Sequence, residues 1–279
     1  MMPAASAPIL ISSDEQLHWL ALRMTPGLGS RTAIRLLEHF GNPQGIFRAS
    51  PQELQAAGAS AGLSRSLSSG CAFEDAVTQQ RKLAQIGATL VPYSDQSYPA
   101  QLKSIYDPPP LLFAWGHVEL LQSLTLAIVG DSAPDLLRNR GYYPLGKGSC
   151  GGRAHNASGM ARGIDTAAHK AVLEVGGNTI AVFGCGVDEL YPAENRKLSA
   201  EIAESGLILS DFPMGTPPYP QNFPIRNRII SGISLGVLIV EGGQYSGSSI
   251  TARLAMEQGR EVFAVPGNIT SKTSYGPIY

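Results

Sequence analysis

The chain has 279 residues, 43% of them hydrophobic, and a net charge of −1. These values are typical of a globular protein with one large and one small domain. They argue against a sequence-blind DNA coat, although a neutral protein can still carry a local basic patch. No apolar run reaches the ~18–20 residues that a membrane-spanning helix needs, so we predict no membrane partner.

The N-terminus and the cysteines give no sign of export or of metal binding. Residues 1–13 contain a short apolar patch but lack the basic region of a signal peptide, and we predict that they are disordered. Cys71, Cys150 and Cys185 lie far apart and match no zinc-binding pattern. This cysteine usage favours a reduced, cytoplasmic protein.

Residues 14–75 are predicted to form short helices joined by glycine turns, a small all-α domain of the SAM or helix-hairpin-helix type. Asp14 and Ser30 are the expected N-caps of the first two helices. Ser50 precedes a proline and stands three residues before a glutamate, which is the pattern of a capping box. Such helical hairpins can present backbone amides to a DNA phosphate, but packing alone is their commoner role.

Residues 76–279 have the pattern of an α/β domain. A helix that ends at Gly87 leads into two strand-like segments, at 88–93 and 111–116. From Leu124 onward, continuous apolar runs alternate with amphipathic helices; the runs are LTLAIVG, NTIAVFG, LILSDF, LGVLIVE and EVFAVPG. Continuous rather than alternating apolar strands predict an extended Rossmann-like fold, with a doubly wound, mostly parallel sheet.

Four segments rich in glycine and small polar residues are expected at the strand-to-loop junctions of this sheet: SGMARGID, FGCGVDELYPAENRK, NFPIRNRII and VEGGQYSGSSITA. Each alone is a weak signal, because a glycine-rich turn often serves only tight packing. On one sheet edge they would combine phosphate-binding amides, guanidinium groups and an aromatic ring. That combination predicts a groove for single-stranded nucleic acid.

The residues expected to contact DNA are small polar, basic or aromatic residues in or next to these segments. They are Ser158, Gly159, Arg162, Gly163, Lys170, Phe223, Arg226, Asn227, Arg228, Gly243, Ser246, Gly247 and Ser248. His169 and Asp165 are expected to be structural, the first in the core and the second at a helix start. No nucleophile elbow, P-loop or paired carboxylates stand out, and G-x-G-x-x-G is absent after the first strand. We therefore predict neither catalytic residues nor a cofactor or metal.

The same motifs, together with YPAQLKSIYDPPPLLFAWG upstream, resemble the DprA/Smf family (DNA processing protein A) over roughly residues 15–279. The resemblance implies a SAM-like domain followed by an extended Rossmann domain. It also implies a cytoplasmic protein that binds single-stranded DNA, forms a homodimer and loads RecA recombinase during natural transformation. By this resemblance Arg226, Asn227 and Arg228, together with Lys170 and the Gly/Ser turns, fall where the family contacts DNA.

The sequence departs from the family pattern in two places. It stops at residue 279, where the family usually continues, so a truncated copy is expected. Residues 131–157 lack the arginine motif, helix and strand that the family has after IVG, and they read as an aberrant loop. We hypothesise two compensating frameshifts, which resequencing would test. The expected consequences are a missing or poor central strand, weaker folding and weaker DNA binding.

Two alternatives to a DNA-binding protein remain open. The first is a nucleoside-monophosphate phosphoribohydrolase of the lysine-decarboxylase-like type, since EGGQYSGSSITA occupies the place of its glycine motif. However, Glu241 replaces the proline of that motif, and Thr251 and Ala252 stand where a catalytic glutamate is needed. The second is a non-functional, frame-shifted relative. Salt-sensitive oligonucleotide binding would favour the DNA-binding protein, and release of a free base would favour the enzyme.

Overall fold

The computed structural model describes residues 12–130, 154–243 and 246–265. Residues 131–153 of the predicted aberrant loop and residues 1–11 of the N-terminal segment 1–13 predicted to be disordered therefore lie outside the described residues. Within the described ranges, no helix has the length and apolar character needed to span a membrane.

The chain begins with a layer of short helices, as the sequence predicts: α1 (Ser13–Met24), α2 (Ser30–Phe40), α3 (Pro43–Arg48), α4 (Pro51–Ala56) and α5 (Ala61–Ser69). The capping box at Ser50 is confirmed, because its side chain and that of Glu53 each accept a backbone N–H of the other residue. The other two predicted caps are wrong by one or two positions. Ser12 caps α1, and Gly29 precedes α2 without a side-chain cap.

Helix α6 (Phe73–Ile86) connects this layer to the sheet. It ends at Gly87, whose φ of 68° is the left-handed conformation that glycine adopts at low cost. The predicted boundary between residues 75 and 76 falls inside α6, so the two predicted domains share a helix. Strand β1 (Thr89–Pro92), helix α7 (Ala100–Lys103) and strand β2 (Leu111–Gly116) follow.

The remaining elements complete the predicted α/β domain. They are β3 (Leu124–Gly130), β4 (Ala154–Ser158), α8 (Ile164–Leu173), β5 (Thr179–Val182), α9 (Arg196–Ser205), β6 (Leu207–Ser210), α10 (Asn222–Gly232), β7 (Gly236–Val240), α11 (Gly247–Glu257) and β8 (Glu261–Ala264). The strand order is β1-β2-β6-β5-β4-β3-β7-β8. The pairs β1–β2 and β2–β6 are antiparallel, and all the other pairs are parallel.

Strand β4 corrects one sequence prediction, because a central strand exists where one was expected to be missing or poor. Residues 154–157 pair in parallel with β3, and Asn156 to Ser158 pair with β5. Polar side chains are tolerated there because neighbouring strands bind them. The Asn156 amide donates to Thr179 Oγ1 at 3.0 Å, and the Ser158 hydroxyl donates to Ile128 O at 2.6 Å.

Helix α10 corrects another prediction, because NFPIRNRII was expected to be a strand-to-loop junction. The segment is helical, and its buried residues include Arg226, Asn227 and Arg228. An amphipathic pattern normally marks a helix by its apolar face. Here the buried surface carries two guanidinium groups and an amide, so the hydrophobic periodicity that would reveal the helix is missing.

The helical layer and the sheet share a hydrophobic core. Leu20 of α1 and Leu36 of α2 belong to the same buried cluster as Phe113 of β2 and Ile208 of β6. The opposite face of the sheet, which includes Leu112 and Leu209, packs with Leu102 of α7 and Ile229 of α10. The sheet is therefore covered on both faces, and the helical layer forms part of one of the two covers.

Arg228 of α10 forms ion pairs with one buried and one partly exposed carboxylate. Its Nη2 lies 2.8 Å from Asp211 Oδ2 and its Nε lies 3.0 Å from Asp107 Oδ2. The side chains of Arg228 and Asp211 are 7% and 6% exposed, so water compensates little of their charge. Removing one partner of such a buried ion pair destabilises the fold, because the other charge is left buried without compensation.

We expect Arg228→Ala to lower the free energy of unfolding by about 3–5 kcal/mol, because Asp211 would be left buried without its main counter-charge. Urea titration followed by circular dichroism measures the change. Arg253→Ala is the matched control, since Arg253 pairs with Glu257 at 3.7 Å and both side chains are over 60% exposed. That control should change stability by less than about 1 kcal/mol. Equal effects of the two variants would contradict the prediction.

Candidate nucleic-acid interface

A cavity of about 380 Å³ opens where the strand order reverses around β3. Strands β4 to β6 lie on one side of β3, and β7 and β8 lie on the other. Ligands of doubly wound sheets bind outside the carboxyl ends of the strands at such a reversal. The lining residues are Val129, Gly130, Gly159, Ala161, Arg162, Asp165, Tyr191, Phe223, Arg226, Asn227, Ile230, Ser246, Gly247, Ser248 and Thr251.

Arg226 forms the floor of this cavity. Its Nη1 donates to Gly159 O at 2.7 Å and to Val182 O, and its Nε donates to Asn227 Oδ1 at 3.1 Å. The residue is 4% exposed, and burial lowers the pKa of its guanidinium while the nearby Asp165 carboxylate raises it. Arg226 therefore joins the ends of two parallel strands, and most of its hydrogen-bonding capacity is used within the protein.

The turn after β4 is shaped around Arg226 and Asp165. A Cβ on Gly159 would lie 2.7 Å from Arg226 Nη1, so a larger residue cannot occupy this position without displacing the guanidinium. The Asp165 carboxylate accepts the N–H groups of Gly159 at 3.0 Å and Ala161 at 3.3 Å. Burial raises the pKa of Asp165, and Arg226 and these hydrogen bonds oppose that rise. Asp165 thus fixes the turn, as the sequence predicted, and it also lines the cavity.

The N-terminus of α11 supplies the donors that remain available to a ligand. Ser246 caps the helix by accepting Ser249 N–H at 3.3 Å, and the first turn contains no acidic residue. Gly247 and Ser248 follow it at the cavity wall. The first N–H groups of a helix and its dipole favour an anion such as a phosphate.

An aromatic and cationic rim lies beside this helix end. The rings of Tyr191 and Phe223 are 5.2 Å apart between centroids, and Tyr191 is 39% exposed. The Arg162 guanidinium lies 5.7 Å from the Tyr191 ring and forms an ion pair with Glu194, with 2.5 Å between Nε and Oε1. Arg162 and Glu194 are both more than half exposed, so a ligand can reach the guanidinium.

The structure brings together eight of the predicted site residues as cavity lining: Gly159, Arg162, Phe223, Arg226, Asn227, Ser246, Gly247 and Ser248. The other five do not line it: Ser158, Gly163, Lys170, Arg228 and Gly243. The Ser158 hydroxyl donates to a carbonyl of β3, Gly163 is the N-cap residue before α8, and Arg228 is held in its ion pairs. A DNA-binding role for these five stays a prediction from the family resemblance.

Sequence reasoning missed Tyr191 and underrated Asp165 as parts of the site. Tyr191 lies within FGCGVDELYPAENRK, next to a proline, and an aromatic residue at a strand-to-loop junction was a usable signal. Val129, Gly130, Ala161, Ile230 and Thr251 also line the cavity, but their apolar or small side chains gave no chemical signal.

His169 has the structural role that the sequence predicted. It is fully buried, and its Nδ1 lies 2.7 Å from Thr179 Oγ1. Burial, assisted by the charge of Arg226, lowers its pKa from 6.5 to about 3. The imidazole is therefore neutral at physiological pH. Within the part of the chain that the structure describes, no three His, Cys, Asp or Glu side chains are grouped to hold a metal ion.

The buried neutral His169 predicts a loss of stability in mild acid. The imidazole protonates near pH 6.5 when the chain is unfolded but only near pH 3 when it is folded. Its contribution is thus complete above pH 6.5 and falls as the pH falls toward 3. Between pH 7 and pH 5 it should lower the free energy of unfolding by roughly 2 kcal/mol. Urea titrations at both pH values measure this loss. His169→Gln should show a smaller loss, and an identical loss would contradict the assignment.

Comparison with known proteins places this geometry in a family. The family model described as DNA recombination-mediator protein A matches residues 89–278. Protein Smf of Escherichia coli K12 is 45% identical over 200 residues, which cover 70% of this chain and 52% of that protein. DNA processing protein DprA of Bacillus subtilis is 44% identical over 193 residues, which cover 69% of this chain and 65% of that protein. The chain thus spans about half to two thirds of the length of these two relatives.

Solved structures agree with the sequence relatives. DprA from Streptococcus pneumoniae superposes with a TM-score of 0.79 at 32% identity, covering 97% of this chain and 92% of that one. DprA from Helicobacter pylori, described for its unique single-stranded DNA binding mode, gives a TM-score of 0.61 at 29% identity. That match covers 68% of this chain and 85% of the H. pylori chain. The chain belongs to the DNA recombination-mediator protein A family, which is the DprA/Smf family.

Proposed function

We propose that this chain is a DNA-processing protein of natural transformation that binds single-stranded DNA in the cavity at the strand-order reversal. The observation that carries the proposal is the meeting of three features in one cavity. They are the N-terminus of α11, the accessible guanidinium of Arg162 and the paired rings of Tyr191 and Phe223.

The three features suit the two chemical parts of a single strand. Backbone amides at a helix N-terminus and an arginine bind phosphate without reading sequence. Aromatic faces stack with unpaired bases, and every base has such a face. A duplex hides its base faces within the stack, so the aromatic rim favours a single strand over a duplex.

The roles of the arginines differ in this proposal. Arg162 contacts the strand directly, since its carboxylate partner among the described residues is the exposed Glu194 and the guanidinium itself is more than half exposed. Arg226 holds the floor of the site through backbone carbonyls, although its guanidinium still faces the cavity. Direct DNA contacts from Ser158, Gly163, Lys170, Arg228 and Gly243 are part of the proposal on the family resemblance alone.

The finer steps of the function rest on family membership. Single-stranded DNA binding is described for the H. pylori relative, which is 29% identical. Loading of RecA recombinase, homodimer formation, a cytoplasmic location and the absence of enzymatic activity are extended to this chain by the DprA/Smf resemblance. Among the described residues, Asp165 is the carboxylate that lines the cavity, and it is bound to two backbone amides, which does not favour the phosphoribohydrolase alternative.

We expect two substitutions of one ion pair to change affinity in opposite directions. Arg162→Ala should weaken binding of a labelled single-stranded oligonucleotide and make the salt dependence of log K shallower by about 0.7, the value of one lost phosphate contact. Glu194→Gln should tighten binding, because the competing carboxylate that holds Arg162 is removed. Fluorescence anisotropy at several salt concentrations measures both effects.

Arg253→Ala serves as the matched control, because Arg253 lies on α11 in another exposed arginine–glutamate pair outside the cavity lining. It should leave affinity unchanged. An oligonucleotide affinity that changes with neither Arg162→Ala nor Glu194→Gln would contradict the proposed site. Absence of salt-dependent binding by the unaltered chain would contradict the proposed function. Release of free base from a nucleoside monophosphate would establish the enzyme instead.

A further inference from the structure

We infer that the N-terminal helical layer positions the DNA-binding cavity through a buried chain of contacts from Arg23 through Asp211 to Arg228. The inference rests on the proposed function and adds to it a role for residues outside the cavity. Arg23 and Asp211 are positioning residues, and Arg228 is one through its bond to Asp211, since none of the three lines the cavity.

The first contact joins the helical layer to the loop after β6. Arg23 lies in the last turn of α1, and its Nε and Nη2 donate to the carbonyl oxygen of Asp211 at 3.0 and 2.7 Å. Burial lowers the pKa of the Arg23 guanidinium, and the Asp211 carboxylate opposes that shift. Two bonds from one planar group to one oxygen fix the backbone of Asp211 relative to α1.

The second contact joins that loop to the cavity helix. Arg228 Nη2 donates to Asp211 Oδ2 at 2.8 Å, and both side chains are buried. Arg228 follows Arg226 and Asn227 on α10, and those two residues line the cavity. Because a helix moves as a rigid body, a fixed Arg228 fixes the rotation of α10 and hence the positions of Phe223, Arg226 and Asn227.

Asp107, the second carboxylate that binds Arg228, is next in sequence to Tyr106, which the helical layer contacts. Asp107 accepts from Arg228 Nε at 3.0 Å. Its neighbour Tyr106 lies under the guanidinium of Arg31 of α2, with 4.2 Å from Cζ to the ring centroid. Both partners of Arg228 therefore belong to segments that arginines of the helical layer contact. The helical layer therefore reaches Arg228 through two separate segments of the chain.

A separate pair of hydrogen bonds to the loop after β6 provides a control. The Gln79 side chain of α6 donates to Met214 O at 3.1 Å and accepts Met214 N–H at 2.8 Å. Gln79 is buried and holds the same loop, but neither of these bonds reaches Asp211 or Arg228. Loss of these two bonds should weaken the contact between α6 and the loop without changing the position of α10.

The test compares Arg23→Ala with Gln79→Ala in the full chain, under conditions where urea titration shows both to be folded. Oligonucleotide affinity and amide hydrogen exchange across residues 225–230 are measured for each. Arg23→Ala should weaken affinity by about three- to tenfold, equivalent to roughly 0.7–1.4 kcal/mol, and should speed exchange in α10. Gln79→Ala should lower stability and leave affinity and exchange in α10 unchanged. Arg23→Lys should restore part of the affinity, because an ammonium can still donate to a carbonyl.

The inference is overturned if Arg23→Ala lowers stability alone, or if both alanine variants change affinity and exchange equally. Failure of the proposed function gives a different result, because the unaltered chain would then not bind the oligonucleotide at all. In that case the exchange measurement still decides whether Arg23 positions α10.

Discussion

The buried guanidinium of Arg226 is the constraint on which the candidate site depends. It joins the carboxyl ends of β4 and β5 through carbonyl oxygens of Gly159 and Val182. A buried cation is costly unless it is compensated. The Asp165 carboxylate and the carbonyl oxygens of Gly159 and Val182 provide that compensation, and the absence of a side chain at Gly159 leaves room for the guanidinium. The shape of the turn after β4 follows from these requirements.

This arrangement separates the groups that build the site from the groups that meet a ligand. Arg226 and Asp165 use their hydrogen-bonding capacity largely within the protein, so they hold the cavity in one shape. Arg162, Tyr191 and the first turn of α11 remain accessible at its rim. A preorganised floor with accessible cationic, aromatic and amide groups suits a flexible polyanion, because the protein then loses little conformational entropy on binding.

The helical layer belongs to the same physical unit as the sheet. Its apolar residues share a core with one sheet face, and its arginines contact both segments whose carboxylates hold Arg228. A linker that separates two independent domains would carry few such contacts. The division of the chain near residue 75 therefore marks a change of secondary-structure class inside a continuous structure.

The sequence by itself determined the strands with continuous apolar runs, the helix end at Gly87 and the capping box at Ser50, because these depend on local periodicity and backbone conformation. It also selected most of the cavity lining, since small polar and basic residues mark strand ends. Only the tertiary structure decided that residues 154–158 form a strand, that 222–232 form a helix and that Arg228 is buried in ion pairs. Their polar side chains are satisfied by partners distant in sequence, so no local pattern could reveal where they lie.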